Sequence, residues 1–229
     1  MKIWAISDTH NKHGWLEIPD GIDMVIHAGD LGTVREPFLN AAPVHNALVW
    51  IDSLPIKYKV VIAGNHDTSI ENHLVYPKKE YPNITYLQHE SVEIEGIKIF
   101  GSPYTPSFGE GWSFNKGRHK LEPYWAEIPD DTDILITHGP PKGILDLTVY
   151  DSREGAEGKS FFQCGCKSLL NRVKVVQPKF HIFGHIHTES DCPNAGILEI
   201  QNCKTKFVNA SVLNLNYDVC NNGYIIEIL

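Results

Sequence analysis

The sequence predicts an α/β fold in which mixed β-sheets carry helices on their outer faces. Three patterns predict it. Five short β-branched or apolar runs are each followed by Gly or Ser and then by polar residues: KIWAISDTH (2–10), MVIHAGD (24–30), KVVIAGNHD (59–67), DILITHGPP (133–141) and KFHIFGHIH (179–187). Segments with helical spacing lie between these runs, and two further stretches alternate as antiparallel hairpins do.

Continuous apolar runs of this length suit strands buried on both faces, which places the polar residues just past their C-terminal ends. In α/β sheets that edge binds ligands. A helix is expected in AAPVHNALVWIDSLP (41–55), where Ala47, Leu48, Trp50, Ile51 and Leu54 fall at helical spacing, with Pro43 near the first turn and Pro55 closing it. SVEIEGIKIFGS (91–102) reads as a hairpin turning at Glu95 and Gly96. CGCKSLLNRVKVV (164–176) offers Leu169, Leu170 and Val173 to one helical face, and ILEIQNCKTKFVNASVLNL (197–215) reads as a second hairpin around Asn202 to Lys204.

With 229 residues, 42% hydrophobic and 21% charged, the chain can bury a sizeable core. It shows no repeat, low-complexity tract or linker-like shift, so one domain over residues 1–229 is expected. No apolar run reaches bilayer length, and MKIWAISDTH enters a strand pattern directly, so no membrane partner and a cytoplasmic location are expected. A net charge of −8 argues against gripping long nucleic acid through its phosphates. A small phosphorylated substrate stays open, because bound metal ions can reverse a local field. Cys164 and Cys166 are spaced CxC rather than CxxC, and Cys192, Cys203 and Cys220 are scattered, which argues for reduced thiols and against a zinc knuckle.

The strand-end residues are Asp8, His10, Asp30, Asn65, His66, Asp67, His138, His185 and His187. In an extended chain the side chains at i and i+2 share a side, so His185 and His187 project into one space. If the strands lie side by side, carboxylates and imidazoles converge there. Crowded carboxylates repel, and metal ions are the simplest positive partner. Taken singly, each fragment also has a plainer reading: Asp30 as a turn aspartate, Gly64 and Asn65 as a tight turn, His138 bonded to a backbone carbonyl. Five such fragments, each after an apolar run, argue for a joint site. His27 and His181 are expected inside the core or as supporting donors.

SDTH, AGD, AGNHD, ITHG and FGHIH match, in order, the signature of the calcineurin-like metallophosphoesterases: DxH, GD, GNH followed by D or E, a lone His, and GHxH. The resemblance spans roughly residues 2–190. Through DTHNKH, VIHAGDLG, KVVIAGNHD, GSPYTPSFGEGWSFN, ILITHGPPKGILD and FGHIH the chain most resembles the small metallophosphoesterase-domain proteins, and it keeps the last histidine of GHxH as His187.

This resemblance implies two facing mixed β-sheets flanked by helices, a four-layer α/β/β/α sandwich with the metal site at the C-terminal strand ends. It assigns Asp8, His10 and His187 to one divalent ion, Asn65, His138 and His185 to a second, and Asp30 to both, with manganese foremost and iron or zinc as alternatives. It stands His66 over the substrate as proton donor, beside Asn65, with Asp67 orienting the ring or capping the following helix. Asn11 and His13 are expected to reach the substrate phosphate, and Tyr104 and Trp112, in the loop GSPYTPSFGEGWSFNKGR with Phe108 and Phe114, to stack a nucleobase or roof the core. The implied activity is hydrolysis of small nucleotide-type phosphodiesters, including cyclic ones, by attack of a metal-bridging hydroxide. A nucleotide-binding regulator with weak turnover and a nuclease are the alternatives.

Overall fold

The computed structural model describes residues 1–150, 160–189 and 193–228. All five apolar runs form strands, and they divide between two sheets. The first sheet runs β15 (Tyr224–Glu227), β1 (Lys2–Ile6), β2 (Met24–His27), β3 (Tyr58–Val61), β4 (Thr85–Tyr86). It is parallel from β1 to β4, and β15 is antiparallel at its edge. The second runs β13 (Gly196–Glu199), β14 (Lys206–Asn209), β12 (Phe180–Phe183), β9 (Ile134–Thr137), β6 (Ile97–Ser102), β5 (Glu90–Ile94). Its middle strands are parallel and both its edges antiparallel. Two ribbons stand apart: β7 (Thr105–Pro106) with β8 (Asn115–Lys116), and β10 (Leu147–Tyr150) with β11 (Ser160–Gln163).

The apolar runs are continuous because each strand feeds two cores. Ile3, Ala5, Met24, Ile26 and Val60 of the first sheet pack against Ile99, Ile134, Ile136, Ile182 and Val208 of the second, so the sheets face each other. The alternate residues Trp4, Ile6, Val25 and Val61 point the other way, onto Val44, Ala47, Leu48 and Ile51 of helix α1 (Pro37–Ser53). Leu135, Phe183 and Phe207 likewise point away from the sheet interface, onto α4 (Leu121–Ala126) and α5 (Lys167–Val176). Each such side chain, fully buried, contributes about 1.5–3 kcal/mol of transfer free energy. The layers are therefore helix, sheet, sheet, helix. Two one-turn helices, α2 (Thr68–Glu71) and α3 (Pro77–Glu80), connect β3 to β4.

Helix α1 begins earlier than its apolar spacing indicates. Pro37 occupies the first turn and the Glu36 carboxylate accepts the Leu39 N–H at 2.7 Å, which leaves Pro43 inside the helix instead of near its start. The β5–β6 hairpin turns where expected, with Glu95 (φ 50°) and Gly96 (φ 77°) both in the left-handed region that a two-residue turn of this twist requires.

Cys164, Cys166, Cys203 and Cys220 are free thiols, and Cys192 lies outside the described residues. Cys166 Sγ accepts the indole N–H of Trp125 at 3.3 Å, and burial pushes the Cys164 thiol up to about 12, so this pair serves packing. Among the described residues no helix is long and apolar enough to cross a membrane.

Candidate metal centre

The ends of the two sheets meet where Ser7 bridges Ser211 and the His185 N–H donates to Asp8 at 2.9 Å. There Asp8 and His10 follow β1, Asp30 follows β2, Asn65 and His66 follow β3, His138 follows β9, and His185 and His187 follow β12. Three sets of potential ligand atoms, each within 4.8 Å of one another, result: Asp8, His10 and His187; His10, Asp30 and His66; Asp30, His138 and His185. The Asp30 carboxylate stands between the two halves. Its Oδ1 accepts the His66 backbone N–H at 2.7 Å, and its Oδ2 lies 3.7 Å from His10 Nε2 and 3.3 Å from His138 Nε2. His187 Nε2 lies 3.5 Å from Asp8 Oδ1, and Asn65 Oδ1 lies 2.9 Å from His138 Nε2.

Whether these residues suit metal ions follows from their hydrogen bonds. His10 Nδ1 lies 2.8 Å from the Gly32 carbonyl, His138 Nδ1 2.9 Å from that of Ala28, and His187 Nδ1 3.0 Å from that of Asn214. A carbonyl oxygen only accepts, so each Nδ1 carries a proton and each Nε2 is the inward atom, able to hold either a metal ion or a second proton. His10 Nε2 is buried without a partner. Lone pairs facing carboxylate oxygens repel unless a cation or a proton sits between them. In the metal-free protein burial alone would lower His138, but the Asp30 carboxylate outweighs it and raises the imidazole to about 9. Burial lowers His10 to about 4 and His185 to about 3, which keeps their lone pairs free. Burial would raise Asp8, yet the His187 imidazole holds it well below the usual carboxylate range. Imidazole nitrogens with carboxylate and amide oxygens, oriented by backbone carbonyls, fit divalent transition-metal ions.

The backbone is held in an uncommon shape to achieve this. Asp8 (φ 55°), His10 (φ 41°), Asp30 (φ 57°) and His185 (φ 69°) all lie in the left-handed region, at a cost of order 1–3 kcal/mol each. Close approach adds a demand on Gly184, where a Cβ would fall 2.0 Å from Asp8 Oδ2 and 2.1 Å from Ser7 Oγ. Gly184→Ala is therefore expected to displace Asp8 and His185 together, lowering stability by about 1–3 kcal/mol and bound metal well below wild type. Elemental analysis and thermal melts check this, and wild-type metal content in the variant would show that the loop has room to yield.

The sequence pattern of the calcineurin-like phosphoesterases matches residues 1–189. The chain belongs to that family. Metallophosphoesterase domain-containing protein 1 of Homo sapiens is 36% identical over 250 residues, which cover 98% of this chain and 70% of that protein. UPF0046 protein C25E10.12 of Caenorhabditis elegans is 36% identical over 234 residues, 93% of this chain and 75% of that protein. The solved structure of TT1561 of Thermus thermophilus shares the fold, with a TM-score of 0.52 at 12% identity over 91% of this chain and 88% of that one. The family hydrolyses phosphoric esters and typically binds divalent metals, which agrees with the donor set above.

Around the centre of this phosphoesterase the other expected site residues take different positions. His66 Nδ1 lies 3.0 Å from the Thr33 carbonyl, and its ring packs edge-on at 4.6 Å both to His10 and to Trp112. Trp112 is held in turn by the Arg35 guanidinium, 4.2 Å over its ring, which also donates to the Glu110 carbonyl at 2.6 Å. Asp67 does not orient His66, nor does its side chain cap α2. Its oxygens accept from the Leu31, Gly32 and Gly64 amides at 2.9, 3.0 and 2.7 Å, tying the loop after β2 to the loop after β3, and burial raises its carboxyl to about 7. His27 and His181 sit beneath the site, bonded to Thr9 and Thr137 at 2.9 and 2.8 Å.

The cavity over the centre, about 240 Å³, is lined by Asp30, Asn65, His66, Trp112, His187 and Tyr217 among others, but not by Asn11, His13 or Tyr104. His13 packs against Trp50 of α1 at 5.1 Å. Tyr104 packs against Tyr124 at 5.0 Å under the Lys116 ammonium, so it roofs the core. The strand-end pattern does not mark Tyr217, yet its ring lies 4.9 Å from that of His10 and 5.2 Å from that of His187.

Proposed function

We propose that this phosphoesterase is a dimetal-dependent phosphodiesterase acting on small nucleotide-type phosphodiesters, cyclic ones included. Asp8, His10 and His187 would hold one ion, Asn65, His138 and His185 the other, and Asp30 both. The observation that carries this reading is Asp30 Oδ2, one carboxylate oxygen facing His10 Nε2 at 3.7 Å and His138 Nε2 at 3.3 Å. A bound ion pair supplies Lewis acidity, which neutralises phosphoryl oxygens and makes water acidic enough for in-line attack. Manganese, iron and zinc all suit a thiolate-free donor set, and manganese is taken as the first candidate.

The chain's own groups complete the reaction. With Nδ1 donating to the Thr33 carbonyl, His66 has Nε2 left to carry a mobile proton toward the leaving oxygen. The Trp112 ring against it restricts its rotation, and the bonds of Asp67 keep the loop carrying His66 in register with Asp30. With Asn65 Oδ1 turned to His138, its amide N–H donors are left for a phosphoryl oxygen. Trp112 and Phe108 on the cavity wall offer aromatic faces to a base. A regulator with weak turnover finds no support, because His187 stands complete at the centre with its Nδ1 fixed.

The test is metal analysis with an activity panel. Two ions per chain are expected, with activity lost in chelator and phosphodiesters hydrolysed faster than the matching monoesters. Full activity with at most one ion, or a monoester preference, would overturn the reading.

A further inference from the structure

We propose that Tyr217 is a substrate-binding residue whose phenolic hydroxyl donates a hydrogen bond to an oxygen that stays on phosphorus. The inference rests on phosphoester hydrolysis at the metal centre and is independent of whether the ester is a diester or a nucleotide.

Tyr217 comes to the centre from the segment between β14 and β15, away from the five strand ends. Its backbone lies in the left-handed region (φ 64°), where a bulky aromatic residue is an outlier. The turn is built to hold it there. The Asn214 side-chain oxygen accepts the Asn216 and Asp218 N–H groups, both at 2.9 Å, and the Asn214 N–H donates to the Asp218 carbonyl at 3.0 Å. The Asn214 carbonyl accepts the Tyr217 N–H at 2.9 Å and also takes the bond from His187 Nδ1 at 3.0 Å. One turn therefore fixes an imidazole of the centre and the phenol beside it. Strain that surrounding bonds keep in place points to a use for the side chain.

Position indicates the use. The ring stands edge-on to His10 and His187, which form one ligand set with Asp8. Such packing needs only the ring. The hydroxyl is superfluous to it, and among the described residues no group is bonded to that hydroxyl, although Tyr217 is half-buried and a buried phenol usually finds a partner. Tyr217 lines the cavity over the centre together with Asp30, Asn65 and His66, where a substrate phosphate has to lie. A donor is what this side of the cavity otherwise lacks. His10 and His187 spend their Nδ1 protons on backbone carbonyls and turn Nε2 to the ion, so neither can donate to a phosphoryl oxygen. A phenol is protonated at neutral pH and can. With His66 given to the leaving oxygen, the Tyr217 hydroxyl is left to an oxygen that is retained.

The experiment compares wild type with Tyr217→Phe, which removes the hydroxyl and keeps the ring. Metal-loaded protein is titrated calorimetrically with methylphosphonate, with elemental analysis on the same samples. Tyr217→Phe is expected to keep wild-type metal content and to bind methylphosphonate on the order of 10-fold more weakly, as loss of a hydrogen bond to a charged acceptor implies. Hydrolysis of an alkyl ester and of a nitrophenyl ester is expected to fall by one common factor, because the oxygen contacted is the same in both. Equal affinity in the two proteins, or no binding by wild type, would overturn the assignment. A variant that sheds an ion would overturn it as well, since the hydroxyl would then serve the ligands, and a loss confined to the alkyl ester would move the hydroxyl to the leaving oxygen. A wild type that takes up no metal, yet binds methylphosphonate more tightly than the variant does, would remove the metal reading and leave the Tyr217 contact standing.

Discussion

Asp30→Asn is expected to empty both metal positions and to lower kcat/KM by at least about 10³-fold, more than any other single ligand change. The reason lies in how the carboxylate is fixed. Its Oδ1 accepts the His66 N–H at 2.7 Å, and an asparagine would place its carbonyl oxygen there to keep that bond. Its NH₂ would then occupy the inward position, 3.7 Å from His10 Nε2 and 3.3 Å from His138 Nε2. A donor replaces an acceptor at the one point that faces both halves of the centre, and it uses up the lone pairs that would bind the ions. The variant is expected to stay folded but to melt below chelated wild type, since it loses the carboxylate that pairs with the raised His138 imidazole in the metal-free protein. His10→Ala, by contrast, removes a group absent from the set formed by Asp30, His138 and His185 and should spare the ion held there. Metal content per chain, with melts on the same samples, separates the cases. Equal loss of both ions in the two variants would show that Asp30 is not shared.

The contrast between Asp30 and Asp67 shows what the sequence could and could not disclose. Both aspartates follow an apolar run, and the runs are legible because each strand packs on both faces: Ile26 into the core between the sheets, Val25 onto the helix side. The same two-sided burial hides which sheet a strand belongs to. β1, β2 and β3 share one sheet while β9 and β12 lie in the other, and their ends meet only through contacts such as His185 N–H to Asp8, 177 positions apart. Side-chain spacing also says nothing of backbone partners. GNHD suggests that Asp67 orients His66, but the Thr33 carbonyl does so, and Asp67 bonds three amides instead. In the loop at residues 101–118 the aromatic content is plain, but which ring turns toward the metal centre depends on anchors outside the motif. Arg35 draws Trp112 over His66, while Lys116 and Tyr124 keep Tyr104 on the core. Tyr217 reaches His10 from across the whole fold, with no local pattern to announce it.

His66→Asn is expected to keep both ions and the fold while lowering turnover by about 10²- to 10⁴-fold on a diester with an alkoxide leaving group, the usual contribution of general acid catalysis. A diester with a nitrophenolate leaving group needs little protonation and is expected to lose much less, although the loss of a hydrogen-bond donor near the phosphoryl group lowers both rates to some extent. The geometry makes the metal readout essential. His66 lies with His10 and Asp30 in a set of atoms within 4.8 Å, so proximity alone would admit it as a ligand. What argues for a proton donor is its company: Nδ1 directed to the Thr33 carbonyl, one ring edge against His10, and Trp112 closing the other side. The measurement is kcat/KM for both substrates in wild type and variant, with elemental analysis of the same preparations. Equal losses on the two substrates would exclude the proton-donor role, and a variant that had shed an ion would move His66 into the ligand set.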